Sequence, residues 1–349
     1  MYNGPPARPV RPAPAVRVHP SSVAERPDTH EERRLNILMV TNPRSGLGDP
    51  GLYEYVRELG KHRSEVTLRF MHEDSDVRHL LRDAKEYARV VAVGGDGTVS
   101  AVAYALRDTG IPLLAFPAGT ANLIARNLRL PTDPVELALI TIAGRTVPID
   151  LGELVLGGKR GLAERRVGFA IAAGVGFDAT VMEAAADLKA SLGEGAYIIG
   201  ALQNLAPTVA RFTLDLDGQT VETEGIAVLI VNFAHIQFDL AVAHGSDAQD
   251  GLFEVVVLKT RTAAGLLPAI WAALVDRLQH HPARPGLEIH SARAVRVEAE
   301  PALPIESDGE VPSCTTPVSA HILPRAATFI VSEENPLPRD TFGETDAGA

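Results

Sequence analysis

Between Leu35 and Leu128 short apolar runs alternate with segments of helical periodicity, and three of the runs end in loops of small polar residues. That alternation restricts the segment to a parallel α/β sheet, because each strand must be returned to the same end by a crossover. Leu35 to Val40, Glu65 to Met71, Arg89 to Val93 and Ile111 to Phe116 read as strands. Leu52 to Leu59, Val77 to Ala88, Val99 to Arg107 and Ala121 to Leu128 suit helices, the third with Val99, Val102, Ala103 and Leu106 on one face.

In an open parallel sheet, ligands bind beyond the carboxyl ends of the strands. The loops there are Asn42-Pro43-Arg44-Ser45-Gly46, Gly94-Gly95-Asp96-Gly97-Thr98 and Pro117-Ala118-Gly119-Thr120-Ala121-Asn122. The second is the most informative. Its three glycines let the backbone turn sharply and approach a phosphate, and Thr98 is placed to cap the helix whose first amides favour an anion. Asp96 beside a phosphate implies a metal ion or a ligand hydroxyl. In the first loop Asn42, Ser45 and Gly46 suit phosphate or sugar, although Asn-Pro and Ser-Gly are also ordinary turns. Thr120 can cap a helix or contact a nucleotide. Three such loops at consecutive strand ends point to a nucleotide. No Walker loop and no protein-kinase loop set occurs.

The texture changes after Pro148. Gly152 to Gly161 reads as a hairpin and Val167 to Ala172 as a strand, with helices over Ala179 to Leu188, Gly195 to Ala206 and Ala263 to Leu278. Strands follow at Arg211 to Leu216, Ile226 to Asn232, Leu252 to Lys259, Ala294 to Glu298 and Val318 to Leu323. Asp217-Gly218 is a hairpin turn signal. This half is therefore β-rich and antiparallel. Residues 1–34, with prolines alternating with arginines, read as a disordered tail, and so does the segment from Pro336 on.

The 349 residues carry a formal net charge of −11, which argues against nucleic acid as partner. The single cysteine, Cys314, cannot form a disulfide within the chain. The longest apolar run, near Gly265 to Val275, is about eleven residues, against roughly twenty needed to cross a bilayer. No transmembrane segment and a cytoplasmic location follow as expectations.

With these loops, the chain resembles the diacylglycerol kinase catalytic superfamily, and within it the bacterial soluble lipid kinases. The resemblance runs from Leu35 to Val331. It adds Gly174-Val175-Gly176-Phe177-Asp178-Ala179, Asp250-Gly251-Leu252 and Asp308-Gly309-Glu310 to the three loops. It implies two domains: an α/β nucleotide-binding domain with a parallel, NAD-kinase-like sheet over 35–149, and a β-rich antiparallel domain over 150–317. A strand over 318–332 would return to the first domain, ahead of a tail at 333–349. The resemblance further implies ATP on the first domain, with contacts from Asn42 to Gly46, Gly94 to Thr98 and Thr120. Glu310 becomes the general base and Asp96 the nucleotide-loop aspartate. A Mg²⁺ site would draw on Asp247, Asp250 and Leu252, partly through backbone oxygens. The acceptor would be a lipid met at the membrane surface, and similar bacterial enzymes can dimerise. Here Asn122-Leu123 stands where many relatives carry Asn-Asp, and His244-Gly245-Ser246-Asp247-Ala248 replaces their Pro-x-Ala. Two other readings remain open at this level: an NAD kinase, which shares the Gly94 to Thr98 loop, and a non-catalytic nucleotide- or lipid-binding regulator.

Overall fold

The computed structural model describes residues 16–18, 35–43, 50–72, 75–157, 164–176, 207–233, 235–236, 240–241, 247–262, 265, 286–308 and 314–338. The helices expected at Ala179 to Leu188 and Gly195 to Ala206 lie outside these residues, as does nearly all of Ala263 to Leu278.

The first half is the parallel sheet anticipated from the alternation. Strands β2 (Asn36–Thr41), β3 (Glu65–Phe70), β4 (Arg89–Gly94) and β5 (Leu113–Pro117) lie in the order β3-β2-β4-β5, all parallel. Ile37 to Val40 and Val90 to Val93 are fully buried, as befits strands covered on both faces. Helices α1 (Pro50–Lys61) and α5 (Pro134–Ala143) pack together over this core. Tyr55 joins them, its hydroxyl 2.6 Å from Thr141 Oγ1 and its ring edge-on to Phe116.

Local departures from expectation have physical causes. A helix over Val77 to Ala88 is reduced to one turn, α2 (Val77–Leu80), followed by a 3-10 turn at Ala84–Glu86. Arg69 of β3 ends it by donating to the Leu80 carbonyl and forking onto Asp83, with Nη2 2.7 Å from Oδ2. The helix expected from Val99 starts earlier, as α3 (Asp96–Ala105), and the next is shorter, as α4 (Leu123–Asn127). Part of the expected N-terminal tail is ordered: β1 (Val16–Val18) pairs antiparallel with β3 and covers what would otherwise be a bare sheet edge. The start of the C-terminal tail is docked as well. Asn335 is buried and donates to the Leu128 carbonyl, and Arg145 Nη2 donates to that of Leu337 at 2.6 Å.

The hairpin expected at Gly152 to Gly161 starts in the second half of a long strand, β6 (Arg145–Leu156), which pairs antiparallel with the next strand, β7 (Arg165–Phe169), while residues 158–163 lie outside the described residues. Gly152 marks close packing, because a Cβ there would stand 2.1 Å from the Phe169 ring. The expected strand Val167 to Ala172 divides at Ala170-Ile171 into β7 and β8 (Ala172–Val175).

Strands β9 (Ala210–Leu216) and β10 (Gln219–Gly225) form the hairpin around Asp217-Gly218, where both residues have positive φ. A separate antiparallel sheet contains β11 (Ala227–Val231), β14 (Phe253–Leu258), β15 (Leu287–Ala292) and β17 (Ile305–Ser307), in the order β15-β14-β11-β8-β17. Between them, β12 (His235–Ile236) pairs with β13 (Leu240–Ala241). The sandwich core includes Phe169 stacked on Phe253, with Phe212 buried beside them.

The two halves share one strand. Expected over Val318 to Leu323 from the residues and over 318–332 from the resemblance, β18 runs from Val318 to Val331. Its first part lies between β6 and β16 (Ala294–Glu300), and its last part pairs in parallel with β5 at Phe329 and Leu113. The ladder with β6 is irregular between Leu323 and Ala327. Buried Asp150 of β6 satisfies the break by accepting from Arg325 N at 2.6 Å.

Candidate active site

The three polar loops begin side by side because the strands are in register: Thr41 opposite Val93, and Gly94 opposite Pro117. Backbone bonds carry the alignment past the strand ends, from Asn42 N to the Val93 carbonyl (3.0 Å) and from Ala118 N to that of Gly94 (3.2 Å). Asn42 Nδ2 stands 3.5 Å from Thr98 Oγ1, and half-buried Pro43 follows it. Arg44, Ser45 and Gly46 lie outside the described residues.

The second and third loops interlock. A Cβ on Gly119 would sit 2.5 Å from the Gly95 Cα, so only glycine allows this approach. Asn122, in the left-handed conformation, brackets Gly119 with two bonds of 2.8 Å, accepting from its N–H and donating to its carbonyl. Asp96 Oδ1 accepts from Ile124 N at 2.9 Å, in the first turn of α4. Asp96 thus does a structural job that its sequence neighbourhood did not disclose.

Thr98 does not cap α3. The helix starts at Asp96, its N-cap is Gly95, and Thr98 is buried inside the first turn. Gly95 has no side chain to cap with, and a helix start without a side-chain cap is the kind of end that anions favour. Thr120 is exposed and caps nothing, the N-cap of α4 being Asn122.

Beside these loops lies a cavity of about 640 Å³ between the two halves. Gly97, Ser100 and Tyr104 of α3 line one side, Arg165 and Arg166 of β7 another, and Ser307 with Asp308 a third. Tyr104 and Arg166 both donate to Glu153 of β6. Burial alone would raise the Glu153 pKa, but these two bonds and the arginine charge hold it below the usual carboxylate range.

Asp308 is at the floor of the cavity. Ser100 Oγ and Ala170 N (2.8 Å) donate to its Oδ2, while Ile171 N (3.0 Å) and Ala172 N (3.1 Å) donate to Oδ1. Burial pushes its pKa up to about 6 against the pull of these bonds. Glu310 lies two residues on, outside the described residues.

The candidate metal residues stand on a separate turn that precedes β14. Asp247 and Asp250 are exposed, and each accepts from its own turn: Asp247 Oδ1 from Gln249 N (3.0 Å) and Asp250 Oδ1 from Leu252 N (2.8 Å). The turn hangs from Asp150, whose Oδ2 accepts from Gly251 N at 2.7 Å. Desolvation raises the Asp250 pKa, and the charge of Asp247 adds to the rise. Two neighbouring carboxylates and a backbone carbonyl are hard oxygen donors of the kind Mg²⁺ takes. Among the described residues no group of three metal-ligating side chains assembles.

A glycine-rich loop thus stands at the head of a parallel sheet and faces a second, antiparallel lobe across a cavity. The diacylglycerol kinase catalytic domain model matches residues 36–154, and that of the YegS C-terminal NAD kinase beta sandwich-like domain matches residues 171–331. A protein named diacylglycerol kinase from Mycobacterium tuberculosis is 30% identical over 306 residues, which are 83% of this chain and 93% of that one. A probable lipid kinase YegS-like from Pseudomonas aeruginosa is 34% identical over 258 residues, 70% and 80% of the two chains. The crystal structure of a putative diacylglycerol kinase from Bacillus anthracis superposes with a TM-score of 0.67 at 21% identity, over 86% of this chain and 98% of that one, and shares the fold. The chain belongs to the bacterial diacylglycerol kinase and YegS-like lipid kinase family, and is thereby a lipid kinase, a phosphotransferase.

Proposed function

We propose that this chain transfers the γ-phosphoryl group of ATP to the hydroxyl of diacylglycerol or a related lipid. The observation that carries the reading is the interlock of the Gly94 to Thr98 loop with the Gly119 loop, beside a cavity lined by Gly97, Ser100, Ser307 and Asp308. The uncapped first turn of α3 suits the phosphates. Asn42, Pro43, Thr120 and the Arg44 to Gly46 segment would contact the rest of the nucleotide. Glu310 would take the proton from the lipid hydroxyl as it attacks. Asp247, Asp250 and the Leu252 carbonyl would hold Mg²⁺, which when bound offsets negative charge. Family names among the relatives support the lipid acceptor. Among the described residues no helix is long and apolar enough to cross a membrane. That suits a protein working from the cytoplasm at a membrane surface.

The test is transfer of labelled phosphate from ATP to diacylglycerol, sphingoid bases, ceramide, phosphatidylglycerol and NAD. Label should enter one or more of the lipids. Label in NAD alone would favour an NAD kinase, and label nowhere a non-catalytic regulator.

The interlock makes its own prediction. In Gly119→Ala the new methyl must push Gly95 aside, an overpacking cost of about 1–3 kcal/mol. Binding of a non-hydrolysable ATP analogue should weaken by roughly tenfold, equivalent to about 1.4 kcal/mol. Titration calorimetry reads this directly, and unchanged affinity would separate the Gly95–Gly119 contact from nucleotide binding.

A further inference from the structure

We propose that Asp308, two residues ahead of Glu310 in the chain, and Ser100 form a positioning pair that fixes helix α3, with the Gly94 to Thr98 loop at its head, against the β7–β8 turn. The proposal rests on Glu310 being the base.

The geometry converges on one carboxylate. Three consecutive backbone amides, those of Ala170, Ile171 and Ala172, point at it from the turn that joins β7 to β8. Successive amides arranged this way make a concavity for an anion, and here the chain supplies its own. The fourth donor, Ser100 Oγ, comes from a different element, the fifth residue of α3. At a rise of 1.5 Å per residue, Ser100 is only about 6 Å along the helix axis from Asp96. A displacement of the phosphate loop is therefore passed rigidly to Asp308, and the reverse.

The turn on the far side of the carboxylate is itself held. Its carbonyls are taken by Asn232, whose Nδ2 donates to that of Ala170 (2.7 Å) and whose N–H donates to that of Ile171 (2.8 Å). Amides tied to Asp308 and carbonyls tied to Asn232 leave the turn little freedom. Asp308 also adopts a left-handed φ of 46°, and its N–H donates to the Ala172 carbonyl at 3.0 Å. One helical turn beyond Ser100, Tyr104 reaches Glu153 in the second lobe, so one face of α3 carries two side-chain links across the cleft.

Ser100→Ala is the cleaner variant, because it removes the helix link and leaves the three amide bonds to Asp308. Turnover is measured with whichever acceptor takes label in the transfer assay. Ser100→Ala should lower kcat about tenfold, with the KM for ATP within about twofold and the melting temperature nearly unchanged. Asp308→Asn should lower kcat further, since one of the two accepting oxygens becomes an NH2 that faces N–H or O–H donors it cannot accept from. If Asp308→Asn does not fold, Ser100→Ala alone carries the test. In a Glu310→Gln background Ser100→Ala should have little additional effect, as expected of residues acting as one unit. Wild-type kcat in a folded Ser100→Ala overturns the proposal. So does a loss confined to the KM for ATP, or effects of Ser100→Ala and Glu310→Gln that simply multiply. If Glu310→Gln is itself near normal, the base assignment fails, and that outcome is read independently of the Ser100 result.

Discussion

Glu310→Gln is expected to reduce kcat by about 10²–10⁴, the usual contribution of a positioned general base. The amide is nearly the same size as the acid, so packing is conserved while the site loses its ability to take a proton. The lipid hydroxyl is a very weak acid and attacks poorly unless its proton has somewhere to go. Because the proposed role of Glu310 is toward the acceptor, the KM for ATP should stay close to wild type. A KM that rises while kcat holds would place Glu310 in binding rather than chemistry. Near-normal turnover would remove Glu310 from the mechanism.

Asp96 needs two variants, because the role proposed for it beside the phosphates adds to a structural one. Its Oδ1 accepts the Ile124 N–H, a bond that ties the phosphate loop to α4. Asp96→Ala loses that bond along with the charge, so about 0.5–2 kcal/mol of stability should go, by analogy with other lost helix caps. Asp96→Asn keeps an oxygen able to accept from Ile124 and removes only the charge. If the carboxylate is needed beside the phosphates, Asp96→Asn should melt close to wild type and yet lose about 10²–10³ in kcat, the scale of one lost electrostatic contact in an active site. Wild-type turnover in Asp96→Asn would make Asp96 a strut of the loop and nothing more.

The parallel sheet was legible in the sequence because its strands are continuous apolar runs and its loops are concentrated small residues. The Gly94 to Thr98 loop and its two neighbours stood out by composition alone. What escaped was set by partners distant in the chain. The helix at Val77 stops after one turn because Arg69, from another strand, takes its last carbonyl. The close packing at Gly152 was not legible, because nothing nearby in the chain announces the Phe169 ring that fills the place of its missing Cβ. Helix α5 could have been found, since Asp133 caps it, with Oδ1 2.8 Å from Glu136 N, and Pro134 opens it. Its body, Leu137 to Ala143, is apolar on every side and has no helical period to read. The pairing of Ser100 with Asp308 spans 208 residues and has no local signature in either segment.

The sharing of β18 between the lobes has a consequence for how the chain is made. The open edge of β5 gains its permanent neighbour only with the strand that ends at Val331. At ordinary synthesis rates of about 5–20 residues per second, the nucleotide lobe waits on the order of ten to forty seconds for that strand. For this interval a row of unpaired N–H and C=O groups at the centre of the finished sheet is an exposed edge, open to pairing with other chains. Slow elongation across the second half would prolong the exposure, and a chain that stops short of Val318 would never end it.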